Sequence, residues 1–460
     1  MKKETTYSPN DLSVMDLDQI YMASSLWYDG EQKNHIGVFD LVVRDMPKHR
    51  NFMVFTGLDE IVTTIQDWKY TDEQIKLLKK YKLISNKFAQ YLKQFSFSGD
   101  VHAMSEGTLF FPGEPVIRIT APLIEGNLLT AFLITALSSN VIYASKFIRS
   151  VIAAKEKSVI GVAPQRAHSF ESAYKAQRAS AIVGSKNVPS PIVRDKLNIE
   201  WGDPSTIAYH AFISSYPTEY EAMQKAAEFA KFDLSLMIDT YDLKKGLQNA
   251  IQIIKDRKKK KLGTKIVIDS GNLAQQCKYV RKELDKKGLK NTPITLASNL
   301  DEYKIKKLME KNIPADTFIV NTEALVSRDD PGLEVVFKLA QVRTKHGIIN
   351  KMKLSKGKRS YPGEKQVFRV EKGKKFQKDV IGLSKEKLGV PLQKQVIKKG
   401  KVVYSSPSVS MIQKHIQVQL KKLSPRFLDI SKEYQYPVAY SNELKQLEKR
   451  VEKDIRKQYT

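Results

Sequence analysis

The sequence is short of the residues that build disulfide and thiolate frameworks. Cys277 is the one cysteine among 460 residues, so no intrachain disulfide can form and a zinc site made of several thiolates is excluded. A lone thiol is typical of a reducing compartment, and we expect the protein to be cytoplasmic. The seven histidines include no HExxH pair, which excludes that class of metal site.

Long apolar runs and the common catalytic motifs are also missing. The start, MKKETTYSPNDLSVMD, carries no apolar core of the kind found in signal peptides. The most apolar stretch, 131–144, is shorter than the roughly 20 residues that a membrane span needs. No Walker A loop, GxGxxG fingerprint, GxSxG elbow or CxxC pair is present. We therefore expect no membrane partner, and any nucleotide triphosphate must be bound in another way.

Acidic residues are few relative to basic ones. The chain has 50 Asp and Glu against 77 Lys and Arg, a formal net charge of +27. The surplus is densest at 257–261 (RKKKK), 351–359 and 372–378. Such a charge suits a nucleic acid, an anionic substrate or a solvated lysine-rich surface. Because no RNP motif, zinc finger or basic zipper accompanies the lysines, we expect no nucleic-acid partner.

A strand–helix rhythm is the clearest sign of organisation in the middle of the chain. Four short apolar runs, each followed by polar residues and an amphipathic helical pattern, lie at 234–238, 265–268, 294–297 and 317–320. Their length and β-branched content are typical of buried strands, and the repeat predicts parallel βα units. Since no GxGxxG fingerprint follows a strand, we favour an irregular, TIM-like α/β barrel over an open sheet. The runs 158–162 and 180–183 are candidates for two further strands.

The flanking parts have different patterns, and together with the barrel they predict an α/β protein of three parts. We assign an α+β N-terminal domain to 1–150, the barrel to 151–350, and a basic C-terminal segment that packs on both to 351–460. Outside the barrel the patterns predict strands at 36–43 and 51–56 and a hairpin-like element at 107–119. They also predict helices at 72–92 and 442–457, and one long helix or two over 127–154.

Two histidines and two glycine-containing segments could carry chemistry. His168 and His210 lie in polar loops of the predicted barrel, where each is either functional or a hydrogen-bonded structural residue. DSGN at 269–272 follows a strand and can bind ribose hydroxyls and phosphate, although an Asx turn with a helix cap also explains it. KLSKGKRSYPGEKQ at 353–366 combines cations, hydroxyls and glycines, and suits either a pyrophosphate or a solvated loop.

The order of the motifs is more specific than any one of them. From Asp16 to Arg369 the chain carries, in sequence, DQIYMASSLWYDG, FSGDVHAMSEGTLFFPGEPVIRI, ASKFIR, QRAH, STIAYHAFISSYPTEYEAM, IDTYDLKKGLQNAI, IDSGNL, SNLDE, DDPGLEVVFKL and KLSKGKRSYPGEKQVFR. This series resembles the nicotinate phosphoribosyltransferase family. The resemblance implies a type II phosphoribosyltransferase fold with an irregular α/β barrel. It also implies a reaction in which nicotinate and phosphoribosyl pyrophosphate give nicotinate mononucleotide and pyrophosphate, with coupled ATP hydrolysis.

The resemblance also implies roles for individual residues. His210, the histidine that the family transiently phosphorylates, and Asp269 would be catalytic. Arg166 would pair with the carboxylate of the base, and Tyr21 would reach the base from the neighbouring subunit of a homodimer with shared active sites. The other implied substrate-binding residues are Lys146, Arg149, His168, Ser270, Gly271, Asn321, Thr322, Lys353, Ser355 and Lys358. ATP would be a co-substrate and Mg²⁺ would enter through the substrate phosphates, with no metal ligands from the protein.

Several positions differ from the pattern of the family. Val162 and Gln165 stand where an aromatic residue and an arginine are usual, Val267 replaces another arginine, and Asn272 replaces the last aspartate of DSGD. These differences leave two alternatives open: a nicotinamide phosphoribosyltransferase, or a catalytically weakened homologue that acts as a binding protein. Arg166 favours the acid, because an amide needs no cation.

Overall fold

The computed structural model describes residues 16–161, 164–199 and 205–458. These residues form two compact units: unit 1 comprises 16–142, 332–407 and 414–458, and unit 2 comprises the described residues of 143–331 together with 408–413. The sequence placed divisions after 150 and 350, whereas the units divide after 142 and 331. Of the basic segment 351–460, all described residues except 408–413 belong to unit 1.

The helices in chain order are α1 Leu17–Tyr28, α2 Leu58–Asp67, α3 Asp72–Lys80, α4 Asn86–Lys93, α5 Leu123–Leu128, α6 Thr130–Ala154, α7 Phe170–Val183, α8 Pro191–Lys196, α9 His210–Ile213, α10 Glu219–Phe229, α11 Leu243–Lys259, α12 Leu273–Lys286, α13 Glu302–Glu310, α14 Thr322–Leu325, α15 Val409–Lys422 and α16 Asn442–Lys457. The strands are β1 Ile36–Val43, β2 Met53–Val54, β3 Asp100–Met104, β4 Leu109–Phe110, β5 Pro115–Pro122, β6 Ser158–Gly161, β7 Ser205–Ala208, β8 Asp233–Met237, β9 Thr264–Ile268, β10 Ile294–Leu296, β11 Thr317–Val320, β12 Val335–Thr344, β13 Gly347–Asn350, β14 Lys365–Lys372, β15 Lys375–Leu383, β16 Val390–Pro391, β17 Gln393–Lys398, β18 Lys401–Val402 and β19 Val438–Tyr440.

Unit 1 is built on a seven-stranded sheet with the order β13-β12-β1-β5-β3-β17-β18. Neighbouring strands of this sheet are antiparallel. Strand β1 lies between β12 and β5 and pairs with both. A second sheet has the order β16-β14-β15-β19. Apolar side chains from strands, helices and the segments between them enclose a core that includes Phe55, Phe88 and Phe110. Strands from both ends of the chain thus share one core.

Two details predicted for unit 1 are wrong. The helical pattern over 72–92 is two helices, α3 and α4, because Lys82 adopts a positive φ of 56° and Ser85 caps a new helix. The element at 107–119 contains β4 and β5, but β4 pairs with β2 and β5 pairs with β1 and β3. The Pro-Gly turn therefore connects two different pairs of strands. The helix predicted over 442–457 is confirmed as α16.

Unit 2 is built on a parallel sheet with the order β6-β11-β10-β9-β8-β7. The four predicted apolar runs are confirmed as β8, β9, β10 and β11, and the run at 158–162 contains β6. The prediction of a strand at 180–183 is wrong. That run ends α7, which starts with a capping box at Ser169 and stops at Gly184, where φ is +114°. The remaining strand is β7.

The sheet of unit 2 is a curled half-barrel. Its first strand, β6, pairs with its last, β11, as in a ring. Among the described residues no ladder joins β6 to β7. The α/β class is thus confirmed, while the described sheet stays open on one side.

Helix α6 is the one described helix that is long and apolar enough to cross a membrane. In its most apolar window 72% of the residues are buried, which is typical of the core helix of a soluble protein.

Cys277 on α12 is also fully buried. Burial, more than the nearby Asp316 carboxylate, raises the pKa of its thiol to about 12.

Candidate active site

Polar segments follow three neighbouring strands of unit 2 at the same edge of the sheet. His210 comes after β7, Asp239 and Thr240 come after β8, and Asp269 and Ser270 come after β9. Because β7, β8 and β9 are adjacent and parallel, their carboxyl ends lie side by side. The structure therefore brings the two predicted catalytic residues, His210 and Asp269, into one cluster.

The imidazole of His210 is held between a hydroxyl and a carboxylate. Its Nδ1 lies 3.0 Å from Thr240 Oγ1, and its Nε2 lies 3.8 Å from Asp269 Oδ2. The first distance is a hydrogen bond, whereas the second is an ion-pair distance too long for one. The His210 side chain is 43% exposed. One ring nitrogen is thus fixed by Thr240, and the other faces Asp269 at a surface that a phosphoryl group can reach.

Asp239 ties the turn after β9 to the end of β8. Its Oδ2 accepts hydrogen bonds from the backbone N–H of Asp269 at 2.8 Å and from the hydroxyl of Ser270 at 2.7 Å. Its Oδ1 is buried and has no hydrogen-bond partner among the described residues. Asp239 therefore fixes the first two residues of the predicted DSGN loop, Asp269 and Ser270.

The carboxyl group of Asp269 is more basic than usual. Burial raises its pKa, and the carboxylate of Asp239 adds to the rise. The backbone N–H of Ser298 and the cationic groups of His210 and Arg166 oppose it. A carboxylate with a raised pKa is suited to hold or transfer a proton. Arg166 is thus one of the charges that act on Asp269.

Arg166 and His168 lie between β6 and α7 in unit 2. Arg166 ends the short helical turn Pro164–Arg166, and both side chains are exposed, as is that of Gln165. Val162 lies outside the described residues. An exposed guanidinium close to the Asp269 cluster is available to a carboxylate ligand.

The DSGN loop needs its glycine and uses its asparagine as a cap. Gly271 has a φ of +72°, and a Cβ there would lie 2.4 Å from Gln276 Nε2. The Asn272 side chain accepts a hydrogen bond from the Gln275 backbone N–H at 3.2 Å and so caps α12. Val267 is buried within β9. Neither Asn272 nor Val267 supplies a cation to this loop.

Asn321 and Thr322 follow β11, on the same edge of the sheet. Asn321 precedes the four-residue helix α14, and Thr322 is its first residue. Because β10 separates β11 from β9, these two residues lie farther from His210 along this edge than the DSGN loop does. Their role as the phosphate turn stays a prediction.

Lys146 and Arg149 are buried in ion pairs. The Lys146 ammonium lies 2.9 Å from Glu302 Oε2 and 3.1 Å from Asp329 Oδ2. Arg149 Nε lies 2.8 Å from Glu302 Oε1, and its Nη2 donates to the Tyr303 hydroxyl at 3.0 Å. Burial acts to raise the pKa of Glu302, but Lys146 and Arg149 outweigh it and lower that pKa. Carboxylates thus already balance the charges of these two cations, and their contact with a substrate stays a prediction.

The other predicted residues belong to unit 1. Tyr21 lies on α1, with 56% of its surface exposed. Lys353, Ser355 and Lys358 lie in the loop 351–364 between β13 and β14, and all three are exposed. We call this segment the cationic loop. Inside it, the backbone N–H of Lys353 donates to Ser360 Oγ at 2.8 Å.

The cationic loop forms one wall of a cavity of about 190 Å³. The cavity is lined by Asp40, Val42, Arg44, Gly113, Pro115, Val336, Lys338, Lys358, Arg359, Ser360, Tyr361, Lys365, Ile381 and Tyr440. Burial lowers the pKa of Lys338, and the charges of Lys353, Arg44 and Lys358 lower it further. Such mutual repulsion among cations is relieved when an anion binds.

Two stretches of the chain match models of one protein family. Residues 14–138 match the N-terminal domain of nicotinate phosphoribosyltransferase, and residues 386–448 match its C-terminal domain. Over 439 residues the chain is 30% identical to a nicotinate phosphoribosyltransferase of Mycobacterium tuberculosis, with 93% of this chain and 91% of the relative covered. The chain belongs to the nicotinate phosphoribosyltransferase family. A relative with the same name from Bacillus subtilis is 29% identical over 476 residues, covering 96% of this chain and 95% of the relative.

Solved structures share the fold of this family member. The human nicotinic acid phosphoribosyltransferase superposes with a TM-score of 0.83 at 20% identity, covering 95% of this chain and 99% of the other. A nicotinate-nucleotide pyrophosphorylase from Pyrococcus furiosus has a TM-score of 0.72 at 22% identity, with 92% and 99% covered. At these identities the likeness is one of fold.

Sequence reasoning about this nicotinate phosphoribosyltransferase homologue missed five residues. They are Arg44, Asp239, Thr240, Glu302 and Lys338. The signal for Asp239 and Thr240 was present, because IDTYD follows a strand as IDSGN does. Lys338 lies opposite Asp40 across β12 and β1, and only the strand register brings it to the cationic loop.

Proposed function

We propose that the protein is the nicotinate phosphoribosyltransferase of a NAD salvage route. The observation that carries the proposal is His210, held by Thr240 and facing Asp269 at the carboxyl ends of adjacent strands in a member of this family. Nicotinate and phosphoribosyl pyrophosphate would give nicotinate mononucleotide and pyrophosphate. ATP hydrolysis would be coupled through phosphorylation of His210.

In the transfer step the pyridine nitrogen of nicotinate attacks C1 of the ribose as the bond from C1 to the pyrophosphate oxygen breaks. The attacking nitrogen carries no proton, so the product is a pyridinium and no base is needed. Arg166 would orient the nicotinate carboxylate through a charge-assisted hydrogen bond. The carboxylates of Asp239 and Asp269 would stabilise the positive charge that develops at C1.

In the ATP step His210 Nε2 would be the nucleophile. If the Nδ1–H donates to Thr240 Oγ1, the lone pair on Nε2 is free to attack the γ-phosphorus, and ADP leaves. Water later breaks the P–N bond and regenerates the imidazole. Asp269, 3.8 Å from Nε2, would stabilise the positive charge that the ring carries while Nε2 holds the phosphoryl group and Nδ1 keeps its proton.

Mg²⁺ would arrive on the phosphate oxygens of the substrates, whose charge it partly neutralises. The described residues contain no group of three or more His, Cys, Asp or Glu able to hold a metal ion.

The cavity beside the cationic loop would bind the pyrophosphate group. Lys338, Lys353 and Lys358 would offset its negative charge. In a homodimer with shared active sites, this cavity and Tyr21 would serve the partner subunit. The first and last strands pair in unit 2, so we also assign its half-barrel to an irregular barrel. The buried thiol of Cys277 suits a cytoplasmic enzyme.

The decisive test is an assay of the purified protein with phosphoribosyl pyrophosphate and Mg²⁺, comparing nicotinate with nicotinamide, with and without ATP. We expect nicotinate mononucleotide as the product and a higher yield with ATP. His210→Ala should abolish the ATP effect and the acid-labile phosphoenzyme. His346→Ala, which alters an exposed histidine in unit 1, is the matched control. Product from nicotinamide alone would assign the other base, and no product from either base would indicate a binding protein.

A further inference from the structure

The cationic loop contains one arginine, Arg359, which lines the cavity and also forms ion pairs with a distant helix. Arg359 Nε donates to Glu448 Oε1 at 2.7 Å, and its Nη2 donates to Glu452 Oε2. The two glutamates lie on the C-terminal helix α16, 89 and 93 residues away in the chain. One guanidinium thus bridges two carboxylates of a distant element.

The spacing of the two glutamates on α16 favours a cation between them. Glu448 and Glu452 are four residues apart on α16, so their side chains are neighbours on one face of the helix. Two like charges at this spacing destabilise a helix unless a cation lies between them. Arg359 supplies that cation, and Arg456 adds a second contact to Glu452 at 2.8 Å.

Helix α16 is itself well anchored. Leu444 and Val451 are buried, and Ser441 caps the helix while its hydroxyl donates to Glu386 Oε2 at 2.7 Å. By contrast, Lys353, Ser355 and Lys358 of the loop are all exposed. The ion pairs of Arg359 therefore join an exposed loop to an anchored helix, α16.

The ion pairs with α16 help to hold the loop in place, because the lysines of the loop are repelled by Lys338 beside the cavity. Lys353 and Lys358 lie close enough to Lys338 to lower the pKa of that ammonium. Before an anion binds, these cations repel one another and favour movement of the loop away from the cavity. A contact that holds them together in advance reduces the cost of ordering the site on binding.

We propose that the ion pairs of Arg359 with Glu448 and Glu452 are a latch through which α16 holds the cationic loop in its anion-binding position. The latch makes Arg359 a positioning residue for the pyrophosphate-bearing substrate. This inference rests on the proposed function in one respect, the assignment of the cavity to pyrophosphate.

The test compares Arg359→Gln with Lys449→Gln, which removes the same charge from an exposed position on α16. We expect Arg359→Gln to raise the KM for phosphoribosyl pyrophosphate and the Kd for pyrophosphate about fivefold, the scale of a partly exposed ion-pair network, with kcat within about twofold of wild type. Backbone amides of 353–360 in Arg359→Gln should exchange hydrogen faster than in the wild type.

The control variant Lys449→Gln should change none of these quantities. The double variant Glu448→Gln/Glu452→Gln should match Arg359→Gln, and combining all three should add little.

Two of these readouts are independent of catalysis. If Arg359→Gln leaves amide exchange over 353–360 and pyrophosphate affinity unchanged, the latch is wrong. If the wild type fails to bind pyrophosphate, the latch has no ligand to prepare for and is equally wrong. If the wild type makes no nucleotide but Arg359→Gln still weakens pyrophosphate binding and loosens the loop, the proposed function fails while the latch stands.

Discussion

At the scale of single residues, the cost of burying charge decides which groups can act. Asp269 is 36% exposed, so its carboxyl group can meet a ligand even though burial raises its pKa. Glu302 is fully buried between two cations, so its charge serves the fold. Residue type does not separate these cases, since both are carboxylates that follow a strand. The surroundings of each carboxylate decide whether it can meet a ligand or serves the fold.

Glu114 in unit 1 gives a pH-dependent test of the same physics. Burial raises its pKa well above the usual value of 4.5, and the Asp379 carboxylate adds to the rise. A raised folded-state pKa gives stability that is complete below the unfolded-state pKa and is lost as pH rises towards the folded-state pKa. We therefore predict that the unfolding free energy of wild type falls by about 1.4 kcal/mol per pH unit relative to Glu114→Gln across that window.

Urea unfolding at several pH values between 5 and 8 measures this difference. Glu73→Gln, which changes an exposed carboxylate on α3, should give a curve parallel to that of wild type. Parallel curves for Glu114→Gln as well would mean that Glu114 is ionised in the folded protein.

At the scale of elements, the active-site loops depend on close packing between a helix and the strand before it. Gly246 lies in α11, and a Cβ at this position would be 2.1 Å from the carbonyl oxygen of Ile238. Ile238 directly precedes Asp239 and Thr240. We predict that Gly246→Ala lowers stability by about 1–3 kcal/mol, because overpacking forces the backbone to move, and also lowers kcat by displacing Thr240.

Thermal unfolding and steady-state kinetics on the same preparation check this prediction. Gly332→Ala is the control, because a Cβ there has no atom within 4 Å. An unchanged kcat in a destabilised Gly246→Ala would show that α11 supports the fold without positioning the site.

Elements marked by local patterns were predictable, and those set by distant pairing were not. The βα repeat identified β8 to β11, and the helical pattern over 442–457 identified α16. The alanine- and serine-rich end of α7 has no decisive period, so its prediction as a strand failed. The pairing of β4 with β2 and the meeting of Arg359 with Glu448 join residues far apart in sequence. No local pattern encodes them.

At the scale of the whole molecule, the shared-site homodimer is the main expectation to test. If Tyr21 serves the partner's His210 site, then Tyr21→Ala and His210→Ala each lack ATP-stimulated activity, yet mixing them creates dimers with one intact site. Random exchange of equal amounts should restore about a quarter of the wild-type sites. Activity measured after mixing and re-equilibration checks this. No recovery, with subunit exchange verified by mass, would contradict shared sites.

The net charge of +27 also has a clearer meaning at this scale. A few of the cations surround the cavity, others such as Lys146 and Arg149 are paired with the carboxylates of Glu302 and Asp329, and RKKKK is at the end of α11. The surplus therefore does not identify the function.

The burial of Cys277 makes the protein a convenient subject for spectroscopy. A thiol with a pKa of about 12 and no exposed surface reacts slowly with maleimides and with nitroxide reagents. A cysteine introduced at Ser355 would therefore be the main site labelled in a chain whose own cysteine can stay in place. A spin label or fluorophore at that point would report, in one molecule, how often the cationic loop leaves its cavity.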